Sequence, residues 1–236
     1  MRGLTIVVPA RNEEAFIAQT VDELVAVARR VLDAFEIILV DDGSTDRTGK
    51  IADELAVKDL EIQVIHNRER RGVGWAFWEG IARSRFEYLT VVPGDHAYQT
   101  EALIPFFKAI GTADLVISYR TNQLYTRRLV RAFLSGLYQR LMRLVFGFGL
   151  RDFHSTVIYP VNLLRRIGMR SLGYTYQLEA LVRLLSLHKS FVEIPVSLNF
   201  NRHSSDAIQL KTLCDVARTI WRLKWQKRQE STETIK

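Results

Sequence analysis

Glu36-Ile37-Ile38-Leu39-Val40-Asp41-Asp42-Gly43-Ser44-Thr45-Asp46-Arg47-Thr48 carries an uninterrupted apolar run into two acids and a glycine turn. A short, β-branched run of this kind suits a strand covered on both faces, and Gly43 supplies the reversal that follows it. Acids placed where such a strand ends are delivered to the rim of a sheet, where the ligands of open α/β sheets bind. Outward from this stretch the chain alternates. Leu4 to Val8, Ile62 to Ile65, Tyr88 to Val92 and Leu115 to Ser118 read as strands, and Glu13 to Leu32, Asp46 to Ala56, Gly74 to Ser84 and Thr100 to Ile110 read as helices. That order predicts a mostly parallel sheet with helices on both faces. Thr45 or Asp46 is placed to cap the helix after the second strand.

Past Ser118 the pattern changes to long arginine-bearing helical stretches, a strand near Ser155 to Tyr159, a helix from Tyr176 to Leu187 and a strand from Phe191 to Val196. A last helix is expected from Ala207 to about Gln226, with a frayed tail over residues 229–236.

The 236 residues, 47% of them hydrophobic, can fill the core of one large α/β domain. The single cysteine, Cys214, excludes an internal disulfide framework and a cysteine zinc cluster, so a reducing, cytoplasmic setting is expected. No segment reaches the roughly 20 uninterrupted apolar residues of a spanning helix, and Met1 to Pro9 is too short for a signal peptide.

The formal charge of +7 is uneven. Between Asp114 and Asp152 there is no acid, while Arg120, Arg127, Arg128, Arg131, Arg140, Arg143 and Arg151 all fall inside. Such a block points to an anionic partner. Nucleic acid is not expected, because no recognised nucleic-acid motif accompanies the charge. A serine hydrolase is excluded by the lack of a Gly-x-Ser-x-Gly elbow, and His154 near Asp152 has no placed nucleophile.

Three segments, in order, resemble the family-2 glycosyltransferases of the GT-A fold. Val7-Val8-Pro9-Ala10-Arg11-Asn12-Glu13-Glu14 is similar to the family's opening strand and Pro-x-x-Asn-Glu turn, Val40-Asp41-Asp42-Gly43-Ser44 to its acidic strand end, and Gly72-x-Gly74-x-Ala76 with Gly80 to its glycine-bearing loop and helix. Beyond Ser118 the chain looks like the polyprenyl-phosphate branch, typified by dolichol-phosphate mannose synthase. The residues are Ser118-Tyr119-Arg120, Asp152 with Ser155, Gly173-Tyr174 with Glu179, and Glu193 to Val196 followed by Arg202.

The resemblance implies a GT-A domain over residues 1–228: a Rossmann-like, mostly parallel central sheet flanked by helices, with amphipathic acceptor-side helices. Residues 1–118 would hold a nucleotide-sugar donor, and 119–228 would meet the acceptor and the membrane. It gives Pro9, Arg11, Glu13 and Asp42 to the base and ribose. Locally, Asp42 and Ser44 are equally explained by a turn and a helix cap, and Gly72-Val73-Gly74 alone would be only a turn.

Where the family places Asp-x-Asp, this chain has Pro93-Gly94-Asp95, and the later glutamine position of the branch is Ala97. Asp95 is therefore the surviving ligand for Mg²⁺ or Mn²⁺, and a single hard oxygen can hold such an ion when diphosphate and water complete the shell. Weakened, nucleotide-dependent metal binding is expected. The other reading makes Asp95 a turn residue of a protein without activity. His96 reads either as a softer ligand or, as is commoner for a lone histidine in a turn, as a solvated side chain.

For the acceptor, the resemblance points to a polyprenyl phosphate gripped by Arg120, by one of Arg127, Arg128 and Arg131 (Arg128 favoured), and by Arg202. Arginine suits a phosphate through bidentate pairing. Arg127 to Phe148 interleaves arginines with leucines and has the character of a membrane-surface helix or, alternatively, of a core helix with a solvated edge. Trp221-Arg222-Leu223-Lys224-Trp225 repeats the aromatic and basic theme. We expect an inverting transferase at the cytoplasmic membrane face, peripheral or working with a membrane-protein partner. Two alternatives stand beside it. One is a transferase acting on a glycan or glycolipid hydroxyl, with Asp152 or Glu179 as base; the other is a nucleotide-sugar-binding protein without transfer activity.

Overall fold

Both faces of the strand Ala34–Asp41 are covered, which is why its apolar run lacks polar alternation. Ile37 and Leu39 enter one core and Ile38 and Val40 the other. The computed structural model describes residues 3–122, 129–168, 171, 173, 175–199 and 218–223. Its strands are β1 (Gly3–Ala10), β2 (Ala34–Asp41), β3 (Ile62–His66), β4 (Tyr88–Val91), β5 (Leu115–Arg120), β6 (Val157–Pro160) and β7 (Phe191–Val196). They form one sheet in the order β3-β2-β1-β4-β6-β5-β7. All pairs are parallel except those of β6, which runs antiparallel to both β4 and β5. The expected mostly parallel central sheet is present, with β6 as the inverted element between its two parallel blocks.

The helices are α1 (Ile17–Val31), α2 (Thr48–Lys58), α3 (Val73–Arg83), α4 (Ile104–Lys108), α5 (Leu129–Phe146), α6 (Val161–Arg166) and α7 (Tyr176–Ser186). On one face of the sheet α1, α2 and α4 pack through Ile17, Leu24, Ala52 and Phe106. On the other α3, α5 and α7 pack through Phe77, Met142, Phe146 and Leu181. The helix read over Thr100 to Ile110 is split into a 3₁₀ turn at Thr100–Leu103 and α4, in whose first turn Pro105 stands. Proline is tolerated there because the first turn needs no intrahelical N–H bond. Asp46 Oδ1 accepts from the Thr48 N–H at 2.9 Å, so it satisfies the first amide of α2 from two residues ahead of the helix, with Arg47 between them. The helix expected over Ala207 to Gln226 lies outside the described residues except for a helical stretch at 218–223.

At the opposite end of β2 from the acid pair, Glu36 is fully buried. Its carboxylate accepts from Thr5 Oγ1 at 2.7 Å, from the Arg85 N–H at 2.8 Å and from Arg85 Nε at 2.6 Å, tying the chain after α3 to the sheet. Arg85 is itself well exposed, so most of the value lies in the satisfied buried acceptors and little in the ion pair. Glu36→Ala is expected to cost about 3 kcal/mol, read as a lowered urea midpoint with an unchanged slope.

Candidate active site

The loops leaving β1 and β2 are stapled together before any ligand arrives. The Asn12 N–H donates to Ser44 Oγ at 3.0 Å, Asn12 Oδ1 accepts from the Thr45 N–H at 2.8 Å, and the Glu13 N–H donates to Thr48 Oγ1 at 2.8 Å. Glu14 Oε2 accepts from the Arg47 N–H at 3.0 Å. Asn12 sits at φ 55°, a left-handed conformation that asparagine tolerates better than most residues. Pro9, Arg11, Glu13 and Asp42 are thereby held at one rim. Pro9 is half-buried and Arg11 exposed.

Asp42 does something the sequence did not suggest. Its carboxylate accepts from Asn67 Nδ2 at 2.9 Å, from the Arg71 N–H at 2.7 Å and from the Gly72 N–H at 2.8 Å, fastening the loop that leads into α3. A carboxylate has about four lone-pair positions, so its main task in this geometry is to hold the loop that frames the rim. Gly43, at φ 69°, lets that loop pass close by: a Cβ there would stand 2.9 Å from the Glu69 carbonyl carbon.

Asp41 points to the other side and bonds His66 Nδ1 at 3.0 Å, while His66 Nε2 meets Asp53 of α2 at 2.9 Å. The bond to Asp41, then that to Asp53, raises the His66 pKa. A raised folded pKa means that the stabilisation is full below the unfolded value of about 6.5 and is lost as pH rises through the folded one. We therefore expect wild-type urea midpoints to fall over that window, and His66→Gln to remove this component of the pH dependence.

At the end of β4, Gly94 lies against β1. Its N–H donates to Pro9 O at 3.0 Å, its carbonyl accepts from Thr20 Oγ1 at 3.2 Å, and a Cβ would stand 2.7 Å from Ile17 Cδ1. This close approach fixes half-buried Asp95, whose Oδ1 accepts from the Ala97 N–H at 3.1 Å. His96 is engaged by protein groups: its Nε2 pairs with Glu23 Oε2 at 2.9 Å, and Asn199 Nδ2 lies 3.3 Å from its Nδ1. Among the described residues no group of three or more His, Cys, Asp or Glu side chains is arranged to hold a metal ion. The donor set at β4 is thus one carboxylate. It fits a hard cation only where a diphosphate and water supply the remaining oxygens.

Across from it, Arg120 and Asp152 form a buried fork, with Nε to Oδ2 at 2.6 Å and Nη2 to Oδ1 at 2.8 Å, their side chains 9% and 2% exposed. Asp152 Oδ1 also accepts from Gln139 Nε2 and from the His154 N–H, each at 2.9 Å. Burial pushes the Asp152 carboxyl up, but the Arg120 guanidinium outweighs it and leaves the pKa below the usual carboxylate range. Glu179, read from the sequence as a base for a hydroxyl acceptor, is buried in α7. It accepts from the Ser171 N–H at 2.8 Å, Arg183 Nε at 3.0 Å and Arg222 Nη2 at 2.8 Å. Burial raises its pKa, and the Ser171 bond with the two guanidiniums more than reverses that. Its role here is to pin the 218–223 segment to α7.

A pocket of about 140 Å³ lies between these parts, lined by Val73, Val91, Pro93, Tyr98, His154, Thr156, Tyr176 and Gln177. That is below the roughly 300 Å³ of a full small-molecule site, so it has room for part of a ligand. Pro93 and His154 line it together. Sequence reasoning had set His154 aside and missed Gln139 altogether. The only available signal was a polar residue on the inward side of an apolar helix. Arg127, Arg128 and Arg202 lie outside the described residues, as does the side chain of Arg131.

With the geometry established, three comparisons bear on it. The model of the family described as Glycosyl transferase family 2 matches residues 5–166. The undecaprenyl-phosphate mannosyltransferase of Micrococcus luteus is 30% identical over 211 residues, covering 84% of this chain and 83% of that protein. The polyprenol monophosphomannose synthase of Mycolicibacterium smegmatis is 27% identical, covering 81% and 76%. Among solved structures, mannosyl-3-phosphoglycerate synthase from Rubrobacter xylanophilus superposes with a TM-score of 0.70 at 17% identity, over 98% of this chain and 75% of that one. Glucosyl-3-phosphoglycerate synthase from Mycobacterium tuberculosis, in complex with Mn²⁺, UDP-glucose and phosphoglyceric acid, gives 0.67 at 19%, over 94% and 80%.

Proposed function

We propose that this chain, which belongs to glycosyl transferase family 2, transfers a sugar from a nucleotide-sugar donor to the phosphate of a polyprenyl phosphate, with inversion at the anomeric carbon. The observation that carries the acceptor is the state of the two carboxylates available as bases. Asp152 is locked in the fork with Arg120 and Glu179 between two arginines, both with lowered pKa. A hydroxyl acceptor needs a base near neutrality to take its proton. A phosphate monoester arrives ionised, since its second pKa is about 6, and requires positive charge and alignment instead. The named relatives act on polyprenyl-type phosphates, which agrees with this reading.

In this scheme the stapled loops of β1 and β2 hold the nucleoside, with Pro9, Arg11 and Glu13 facing it and Asp42 holding the frame. Asp95 would hold Mg²⁺ or Mn²⁺ together with the donor diphosphate, and the ion when bound neutralises the leaving group. The pocket between Pro93 and His154 takes the sugar. Arg120, braced by Asp152, would meet the acceptor phosphate; Arg128 and Arg202, which lie outside the described residues, are given to it by the resemblance alone. Attack by a phosphate oxygen from the far side of the sugar displaces the nucleoside diphosphate in one step, which inverts the centre.

The acceptor is met at a lipid surface. On α5, Leu137, Leu141 and Leu144 are 55%, 48% and 84% exposed, with exposed Arg140 and Arg143 beside them, and Trp221 is 68% exposed. Among the described residues no helix is long and apolar enough to cross a membrane. An apolar stripe flanked by arginines is complementary to an anionic bilayer, and the cytoplasmic face is the one that offers nucleotide sugars.

The test pairs donors with acceptors. UDP-glucose and GDP-mannose are offered with undecaprenyl phosphate in phosphatidylglycerol vesicles or with a glycolipid hydroxyl acceptor in the same vesicles. Sugar is expected on the phosphate; transfer to the hydroxyl alone would overturn the proposal. Binding to the vesicles is expected to be lost in Leu141→Asp/Leu144→Asp.

A further inference from the structure

The two sides of α5 serve different neighbours. Outward it shows Leu137, Leu141 and Leu144; inward, Gln139, Met142 and Phe146 are buried, and Tyr138 stacks on His154 with ring centroids 4.7 Å apart and 20° between planes. Gln139 is the polar member of the buried set. Both ends of its amide go to one loop: Nε2 donates to Asp152 Oδ1 at 2.9 Å, and Oε1 accepts from the Phe153 N–H at 3.0 Å. Asp152 in turn holds Arg120 by two bonds. A buried amide has to be paired at both ends to avoid a penalty, whereas an aliphatic side chain would fill a core helix without that demand. The amide at this position has a specific partner to serve.

We infer that Gln139 is a positioning residue for the transfer. It ties the helix that carries the exposed apolar stripe to the carboxylate that aims Arg120, so that seating α5 on a lipid surface sets the guanidinium for the acceptor phosphate. The inference rests on the polyprenyl-phosphate reading above. The linkage is short and direct: one hydrogen bond from helix to carboxylate, then the fork. His154, held from behind by Tyr138 of the same helix, moves with it, which places one wall of the sugar pocket under the same control.

The experiment uses the full chain and two acceptors, undecaprenyl phosphate in phosphatidylglycerol vesicles and a short, water-soluble polyprenyl phosphate. Gln139→Leu removes the amide at similar size. Gln139→Glu keeps an acceptor for the Phe153 N–H but sets a second negative charge against Asp152. In both variants the wild-type preference for the vesicle-borne acceptor, taken as the ratio of acceptor KM values, is expected to fall about tenfold, with donor KM held within about twofold. An unchanged ratio overturns the inference. So does a common fall in every constant in step with a lowered melting temperature, which is what a merely structural role produces. Should Gln139→Leu fail to fold, Gln139→Glu decides by the same ratio. Wild type that binds nucleotide sugar yet transfers to neither phosphate overturns the acceptor reading itself, an outcome distinct from an unchanged ratio.

Discussion

Asp95→Asn will lower kcat for sugar transfer by about 10²- to 10³-fold while leaving the melting temperature essentially unchanged. Two roles for Asp95 compete, and this substitution separates them. As a turn residue, Asp95 uses one oxygen to accept from the Ala97 N–H, a bond that asparagine makes equally well. As the single acid left at the end of β4, it contributes charge to a cation and diphosphate, which asparagine does not. The turn cannot relax to compensate, because Gly94 is wedged between β1 and α1. Retained activity in Asp95→Asn would reduce Asp95 to its turn role and remove the proposed metal site. A companion change points the opposite way: Pro93→Asp restores a second acid and should tighten Mn²⁺ binding about tenfold, since affinity follows ligand charge count. Calorimetry with and without nucleoside diphosphate reads both, and wild type is expected to bind the ion only with the nucleotide present.

The second large effect concerns the fork. Arg120→Met leaves Asp152 ionised and 2% exposed with no cation, and should cost about 3–5 kcal/mol of stability. Removing both charges costs less: Arg120→Met/Asp152→Leu should lose about 2 kcal/mol, because the Gln139 amide and the His154 N–H are still left without their acceptor. The pH dependence gives an independent check. In wild type the depressed Asp152 pKa means that the fork's contribution is present above the unfolded value of about 3.9 and is lost as pH falls through the folded one. In Arg120→Met the main opponent of burial is gone and only the Gln139 and His154 N–H bonds still favour the charged carboxyl, so its pKa should rise and the deficit should shrink as pH is lowered from 7 towards 5. Urea titrations of the three proteins at pH 7 and 5 test this. An additive double variant would show that the two residues are not coupled. Either Arg120 variant should also lose transfer to a phosphate acceptor, assayed below its unfolding transition.

The fold was legible because its signals were local. The apolar run before Asp41 and Asp42 marked β2, and β7 fell at Phe191–Val196 as read. Pro105 sat where a helix start tolerates it, yet it was read inside a longer helix, since a 3₁₀ turn and an α-helix share a pattern over so few residues. The direction of β6 was not legible at all, because a four-residue apolar strand reads the same in either orientation. At the site, resemblance located Asp42, Arg120, Asp152 and Glu179 but not what they hold. Their partners, Asn67, the Arg71 and Gly72 amides, Gln139, Ser171 and Arg222, are between 8 and 43 residues away and are brought together only by tertiary packing. A carboxylate at a strand end looks the same in sequence whether it reads a ligand or braces a loop.

Asp41 and Asp42 are neighbours in the chain with separate clients, one engaging His66 beside α2 and the other the 67–72 loop. That division follows from the pleat, which turns successive side chains to opposite faces. Their order is therefore a matter of parity. Adding or deleting one residue anywhere between Glu36 and Asp41 would either exchange the two clients or, if that end keeps its register, drive Glu36 off its own partners at the far end. Composition would hardly change, but the strand would be wired backwards at one terminus or the other. Evolution can vary the letters of this strand far more freely than its count.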